Sequence, residues 1–187
     1  MAHPFYTIGH GTRALDELVE LLQSVEVTLL GDVRTVPRSR TNPQYNRETI
    51  PDSLRTYGIE YEHMGALGGL RGRMPDVSPT MNSFWANKSF HNYADYAMSE
   101  RFQSGLAHLR RLGETQRCAI MCAETVWWRC HRRIITDYLL AAGEQVFHIL
   151  GPGKMERAII TAAARPHGAR LLVYPGGPST QPDLFAR

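Results

Sequence analysis

Lysine is almost missing from this chain. Of its 21 basic residues two are lysines, Lys88 and Lys154, and 19 are arginines. Long apolar runs are missing as well. No stretch approaches the roughly 18 residues that a membrane-spanning helix needs, which excludes a transmembrane helix. The first residues, MAHPFYTIGHG, lack a basic segment followed by an apolar core, so no secretory signal is expected. Cysteine is scarce and odd in number: Cys118, Cys122 and Cys130. Three cysteines argue against a disulfide scaffold and fit a reducing cytoplasm. Internal repeats and low-complexity blocks are also lacking, and 187 residues suit one domain with a full-sized core.

What is present is ordinary in amount and unusual in kind. Hydrophobic residues make up 43% and charged residues 21%, as in a globular domain. The net charge of +3 is too small to argue for a polyanionic partner by itself. The preference for arginine counts for more, because its planar fork matches phosphate and carboxylate. Codon usage in a GC-rich genome gives the same preference without any ligand.

Along the chain, short apolar runs alternate with amphipathic ones. Phe5–Ile8 reads as a strand stopped by Gly9 and Gly11. Leu15, Leu18, Val19 and Leu22 mark a helix with Asp16 and Glu17 in its first turn. VTLLGDVR reads as a strand ending near Asp32, RETIPDSLRTYG as a short helix stopped by Gly58, and IEYEHMG as a third strand. Between Gly65 and Ser89 periodicity disappears, which suggests a lid or long loop. A helix of about 20 residues follows, with its stripe at Ala94, Ala97, Met98, Phe102, Leu106 and Leu109. CAIMC has no polar alternation and reads as a central strand buried on both faces. The next helix is expected from near Cys130 to Gly143. QVFHIL and RLLVYP read as strands, with GKMERAIITAAA helical between them. The expectation is one α/β domain over residues 1–174, a mostly parallel sheet of five or six strands with helices on both faces. Residues 175–187 are expected to form a loose tail.

In an open parallel sheet, ligands bind beyond the carboxyl ends of the strands. After the first strand comes His10, after the second Asp32 and Arg34, and after CAIMC comes CAETVWWRCHRR. That last segment is the densest in chemistry: Cys122, Glu124, Trp127, Trp128, Arg129, Cys130, His131 and Arg132. His148 falls inside or near the end of its own strand. These residues are distant in sequence yet are expected on one edge of one sheet. A thiol at Cys122, facing a helix start and several arginines, is expected to be more acidic than usual. The layout of strand, cysteine, loop and arginine resembles that of cysteine phosphatases and sulfurtransferases. The spacing differs, since six residues separate Cys122 from Arg129 and no glycine-rich cradle is present.

Each residue also has a plainer reading. Cys118, Cys122 and Cys130 can be small buried hydrophobes. His131 lies on the inward side of its helix, three and four residues before Ile134 and Ile135, as a hydrogen-bonded core histidine would. His10 sits in a Gly-His-Gly-Thr turn and favours a site role. Asp32 and Arg34 can simply pair with each other. Trp127 and Trp128 offer a stacking surface for a base, or packing for a helix. A zinc site from Cys122, Cys130, His131 and His10 is hindered by spacing, with seven residues between the two cysteines. On one helix the adjacent Cys130 and His131 would point about 100° apart, unless the helix begins at His131. The metal assignment is therefore none.

TIGHGT, DVRTVPRSR, LGGLRGR, YADYAM and CAETVWWRCHRR together resemble the bacterial and archaeal family known as domain of unknown function 488, over about Tyr6 to Leu150. The resemblance implies that Cys122, Glu124, Cys130, His131 and Arg132 occupy motif positions, together with His10, Asp32 and Arg34. One departure is Trp127, where relatives often carry proline. The family supplies no reaction.

Three functions follow. The first is an enzyme, of cysteine-dependent transferase or hydrolase type, acting on an anionic, phosphorylated or nucleotide-like small molecule. Its groups would be Cys122, Glu124, His10 and His131 for chemistry, with Asp32, Arg34, Trp127, Trp128, Arg129, Cys130, Arg132 and His148 for the ligand. The second is a nucleic-acid-binding module using arginine on phosphate and tryptophan on bases. The third is a Cys/His metal protein. The sequence names neither a cofactor nor an oligomeric state.

Overall fold

The computed structural model describes residues 3–177. Its frame is a six-stranded sheet of β1 (Phe5–Gly9), β2 (Leu29–Asp32), β3 (Glu60–His63), β4 (Cys118–Cys122), β5 (Val146–Gly151) and β6 (Lys154–Arg157), ordered β3-β2-β4-β1-β5-β6. The first five strands are mutually parallel, and β6 is antiparallel to β5. The helices are α1 (Leu15–Gln23), α2 (Ile50–Arg55), α3 (Lys88–Ala97), α4 (Glu100–Gly113) and α5 (Arg132–Ala141). The single-domain α/β expectation is what the structure shows.

Side chains alternate across the central strands and so feed two cores. Cys118 and Ile120 join the cluster with Phe102, Leu109, Ile134, Ile135 and Leu139, which puts α4 and α5 on one face. Ala119 and Met121 join Leu18, Leu22, Ile50 and Leu54, which puts α1 and α2 on the other. Both faces of β4 are thus covered, and its run without polar residues follows from that.

Strand order places a switch point at the centre. From β1 the chain crosses over β4 to reach β2, and from β4 it crosses over β1 to reach β5. The carboxyl ends of β1 and β4 therefore diverge to opposite sides and leave a crevice, the ordinary ligand position of such sheets.

Four expectations are corrected. The long helix is two, because Ser99 takes an extended backbone and caps α4 by accepting the Phe102 N–H at 3.3 Å. GKMERAIITAAA is not helical. Gly153 at φ 65° turns the chain back, and Lys154–Arg157 pairs with β5 as the sixth strand. RLLVYP does not join the main sheet, since β8 (Leu171–Val173) pairs with β7 (Arg165–His167) in a separate ribbon. Finally, α5 starts at Arg132, after an extended Cys130 and with His131 as its N-cap residue.

The 65–89 segment is irregular, as expected, but well tethered. Leu67 and Ala66 carbonyls accept from Tyr93 and Tyr96 at 2.6 and 2.7 Å. The Arg71 guanidinium lies 3.8 Å over the Tyr96 ring, and Trp85 is buried against Tyr174 and Phe90. At the end of the chain, Gly176 donates to Ser83 at 2.9 Å, and residues 178–187 of the expected tail lie outside the described residues. Among the described residues no helix is long and apolar enough to cross a membrane.

Candidate functional site

A cleft of about 550 Å³ opens over the carboxyl ends of β1, β2 and β4. The backbone there is knit tightly. His10 and Gly11 N–H groups donate to the Cys122 and Ala123 carbonyls, both at 2.9 Å, and Val33 N–H donates to Met121 at 3.0 Å. Gly9 is required by this closeness, since a Cβ there would fall 2.1 Å from the Glu124 carbonyl oxygen.

Seven of the twelve expected residues line the cleft: His10, Arg34, Cys122, Glu124, Arg129, Cys130 and His131. At its floor the sulfurs of Cys122 and Cys130 and a ring nitrogen of His131 all lie within 4.8 Å of one another. The chain achieves this because a short 3-10 turn, Trp127–Arg129, brings Cys130 back under β4. His131 is held from three sides. Its Nε2–H donates to the Val33 carbonyl at 2.8 Å, Tyr93 packs edge-on at 5.0 Å, and Gly69 covers a ring face. A carbonyl only accepts, so Nε2 carries the proton and Nδ1 presents a lone pair. That lone pair faces Cys130 Sγ at 3.5 Å and Cys122 Sγ at 4.0 Å.

The two thiols divide their acidity in the opposite sense to the sequence expectation. Cys122 is raised above the ordinary thiol range, because it donates its proton toward Cys130 and is desolvated. Burial alone would raise Cys130 as well. Its net direction is well below the ordinary range, because it accepts from Cys122 and lies beside the Arg132 guanidinium. Of the two, Cys130 is the more acidic thiol. The sequence points to Cys122 because it faces a helix start and several arginines; in the fold the extended Cys130 meets the Arg132 Nε–H, 3.3 Å from its sulfur. Cys118 is pushed up to about 12 by burial, as befits an inert thiol.

The other five expected residues do not line the cleft. Arg132 is 1% exposed beneath the floor, bonded to Cys130, to Thr7 at 3.4 Å and to the Glu124 carbonyl. Asp32 is fully buried and grips Arg34 at 2.9 and 2.6 Å, while the Tyr61 hydroxyl donates to it at 2.8 Å. Arg34 also donates to the Tyr45 carbonyl at 2.6 Å and to His10 Nε2 at 3.3 Å. His10 is consequently the Nδ1–H tautomer, bonded to the Gly11 carbonyl at 2.8 Å and stacked on Tyr45, and its pKa is lowered, mainly by burial. His148 Nδ1 shares a hydrogen bond with the Thr7 hydroxyl at 2.8 Å under a stacked Trp127, and burial lowers its pKa to about 4. Trp128 is exposed.

Sequence reasoning missed Arg38, Asn42 and Tyr93 in the cleft wall. The polar, aperiodic run from Arg34 to Asn42 was a usable signal, since it follows the carboxyl end of a parallel strand. Tyr93 was hidden because it sits on the apolar side of α3.

The family model described as domain of unknown function DUF488 matches residues 14–139. The chain belongs to the DUF488 family. The matched stretch includes all three floor residues together with Asp32, Arg34 and Arg132, whereas His10 and His148 lie outside it. No curated protein and no solved structure matches the chain.

Proposed function

We propose that this DUF488 member is an enzyme acting on a small anionic ligand, phosphorylated or nucleotide-like, with the Cys122–Cys130–His131 floor as its reactive centre. The observation that carries this reading is the convergence of the three groups within 4.8 Å at the base of a cleft whose walls include Arg34, Arg38 and Arg129. A thiolate at Cys130 would need compensating charge, and the Arg132 guanidinium beneath it supplies that charge. Arg129 and Arg38 at the walls suit the ligand's anionic group, and Glu124 at the rim is a carboxylate within the same cleft. Trp127 is committed to His148, which leaves Trp128 alone for base stacking and weakens the nucleic-acid reading.

The test is thermal shift and thiol alkylation with phosphate, sulfate and nucleoside monophosphates as probes. A phosphorylated probe is expected to raise Tm and slow alkylation of the floor cysteines. Arg129→Gln with Arg38→Gln is expected to abolish both effects, while Arg110→Gln, remote on α4, leaves them intact. Protection by none of the probes, or protection indifferent to Arg129 and Arg38, overturns the reading. Tight binding of single-stranded oligonucleotide that survives physiological salt and depends on Trp128 transfers it to nucleic acid.

A further inference from the structure

We infer that Cys122, Cys130 and His131 form a binding site for a thiophilic divalent cation of the zinc class, with its fourth coordination position open to the cleft. The inference rests on the reading of this cleft as a reactive site and specifies what operates there.

Four observations carry it. The first is donor chemistry. Two sulfurs and one imidazole nitrogen, all within 4.8 Å, are a soft set that suits zinc and its relatives. The second is distance. Tetrahedral zinc, with bonds of about 2.3 Å to sulfur and about 2.05 Å to nitrogen, holds those atoms about 3.5 Å apart. Cys130 Sγ already stands 3.5 Å from His131 Nδ1, and Cys122 Sγ stands 4.0 Å from it, a gap that a small χ1 rotation closes.

The third observation is the setting of the histidine. A metal-binding imidazole commonly donates its second N–H to a carbonyl or carboxylate, which fixes ring and tautomer. His131 does this with the Val33 carbonyl at 2.8 Å, so Nδ1 has no proton to lose before binding. The Gly69 backbone lies over the ring face. A Cβ built there would be 2.5, 2.7 and 2.9 Å from Nδ1, Cγ and Cε1, nearly equal distances that place it above the ring plane. The in-plane direction of the Nδ1 lone pair therefore stays open toward the sulfurs.

The fourth observation concerns the backbone. Adjacent residues on a helix diverge by about 100° and do not readily share an ion. Cys130 is not on the helix. It is extended, at φ −123° and ψ 147°, and His131 turns the chain into α5 at φ −56° and ψ −18°. The obstacle raised by the sequence is thus removed by the fold.

Charge and protons balance. The ion takes two thiolates, so the thiols release their protons to solvent and the centre becomes neutral. The Arg132 N–H on Cys130 is compatible with a metal-bound thiolate and limits its basicity. All three donors line the cleft, so the open position faces it. Three protein ligands plus an open position is the arrangement of catalytic zinc, whereas structural zinc has four. Such an ion would polarise an anionic ligand's oxygen or lower the pKa of a bound water.

The experiment uses the full chain, reduced and stripped with chelator, then titrated with Co²⁺. One equivalent is expected to bind with thiolate-to-cobalt charge-transfer absorption and tetrahedral visible bands, and Zn²⁺ should displace it. Cys122→Ser, Cys130→Ser and His131→Gln are expected each to weaken binding at least about tenfold, and Cys118→Ser to leave it unchanged. The wild-type spectrum decides the matter even where a variant folds poorly. Absence of the charge-transfer band, or a band that survives Cys130→Ser, overturns the site, as does a Cys122–Cys130 disulfide that forms equally fast with and without Zn²⁺. Loss of Co²⁺ binding with anion protection of the floor intact refutes the ion alone. The reverse result refutes the anionic-ligand reading alone.

Discussion

The Nε2–H of His131 donates to the Val33 carbonyl oxygen at 2.8 Å, and this one bond links the start of α5 to the chain leaving β2. Because Nε2 is taken, Nδ1 is left to face two sulfurs. The floor of the cleft is therefore organised before any ligand arrives, which is what a reactive site requires.

That bond separates a positioning role from a structural one. His131→Gln places an amide N–H near Nε2 and removes Nδ1. The expected result is stability within about 1 kcal/mol of wild type, by urea denaturation, because the hydrogen bond survives. The pH profile for thiol alkylation should shift, because both sulfurs lose the Nδ1 lone pair they face. Loss of both fold and profile together would make His131 structural.

Gly69→Ala acts on the same ring from the opposite side. Its Cβ would enter 2.5 Å from Nδ1, so the imidazole must move or the 65–89 segment must lift. Overpacking of this kind costs about 1–3 kcal/mol. A shift of the alkylation profile like that of His131→Gln is expected, and an unchanged profile would show that the ring tolerates the methyl.

Asp32 and Arg34 form a buried pair that supports the cleft wall. Asp32→Asn leaves the Arg34 guanidinium buried without its counter-charge, and a loss of about 3–5 kcal/mol is expected from urea midpoints. A loss under about 1 kcal/mol would mean that water reaches Arg34 readily.

His148 gives a pH dependence of defined sign. Its folded pKa of about 4 lies below the ordinary histidine value, chiefly through burial and then through Arg132. The stability it contributes is present above about pH 6.5 and is lost as pH falls toward 4, by up to about 3 kcal/mol. Asp137, raised to about 6 mainly by burial, works the other way: it favours folding at low pH and loses that contribution as pH rises through 6. The wild-type minus His148→Gln difference in urea stability isolates the histidine. It should shrink between pH 6.5 and 4, and a flat difference would contradict the burial of a neutral ring.

The strands and most helices were legible because apolar period and turn residues speak locally. The convergence of His10, Arg34 and Cys122 was legible because strand ends follow from topology. Three features were not. Lys154–Arg157 reads as helical by composition, but the Pro152–Gly153 turn and the open edge of β5 decide for a strand. Ser99 looks like one polar residue in a long helix until its cap is seen. The acidity of Cys130 was not legible because its extended backbone, and with it the approach of Arg132, is set by the tertiary fold.

The greater acidity of Cys130 is the central feature of the cleft floor. Far-ultraviolet thiolate absorbance should be titrated on the metal-free, reduced protein beside Cys118→Ser, Cys122→Ser and Cys130→Ser. The wild type is expected to hold one thiolate that titrates below the ordinary value of about 8.5. Cys118→Ser should keep it and Cys130→Ser should lose it. Cys122→Ser should keep it too, because the serine hydroxyl still donates toward the Cys130 sulfur. No thiolate below about pH 8.5, or an acidic one that persists in Cys130→Ser, would contradict the assignment of Cys122, Cys130 and His131 as one reactive centre.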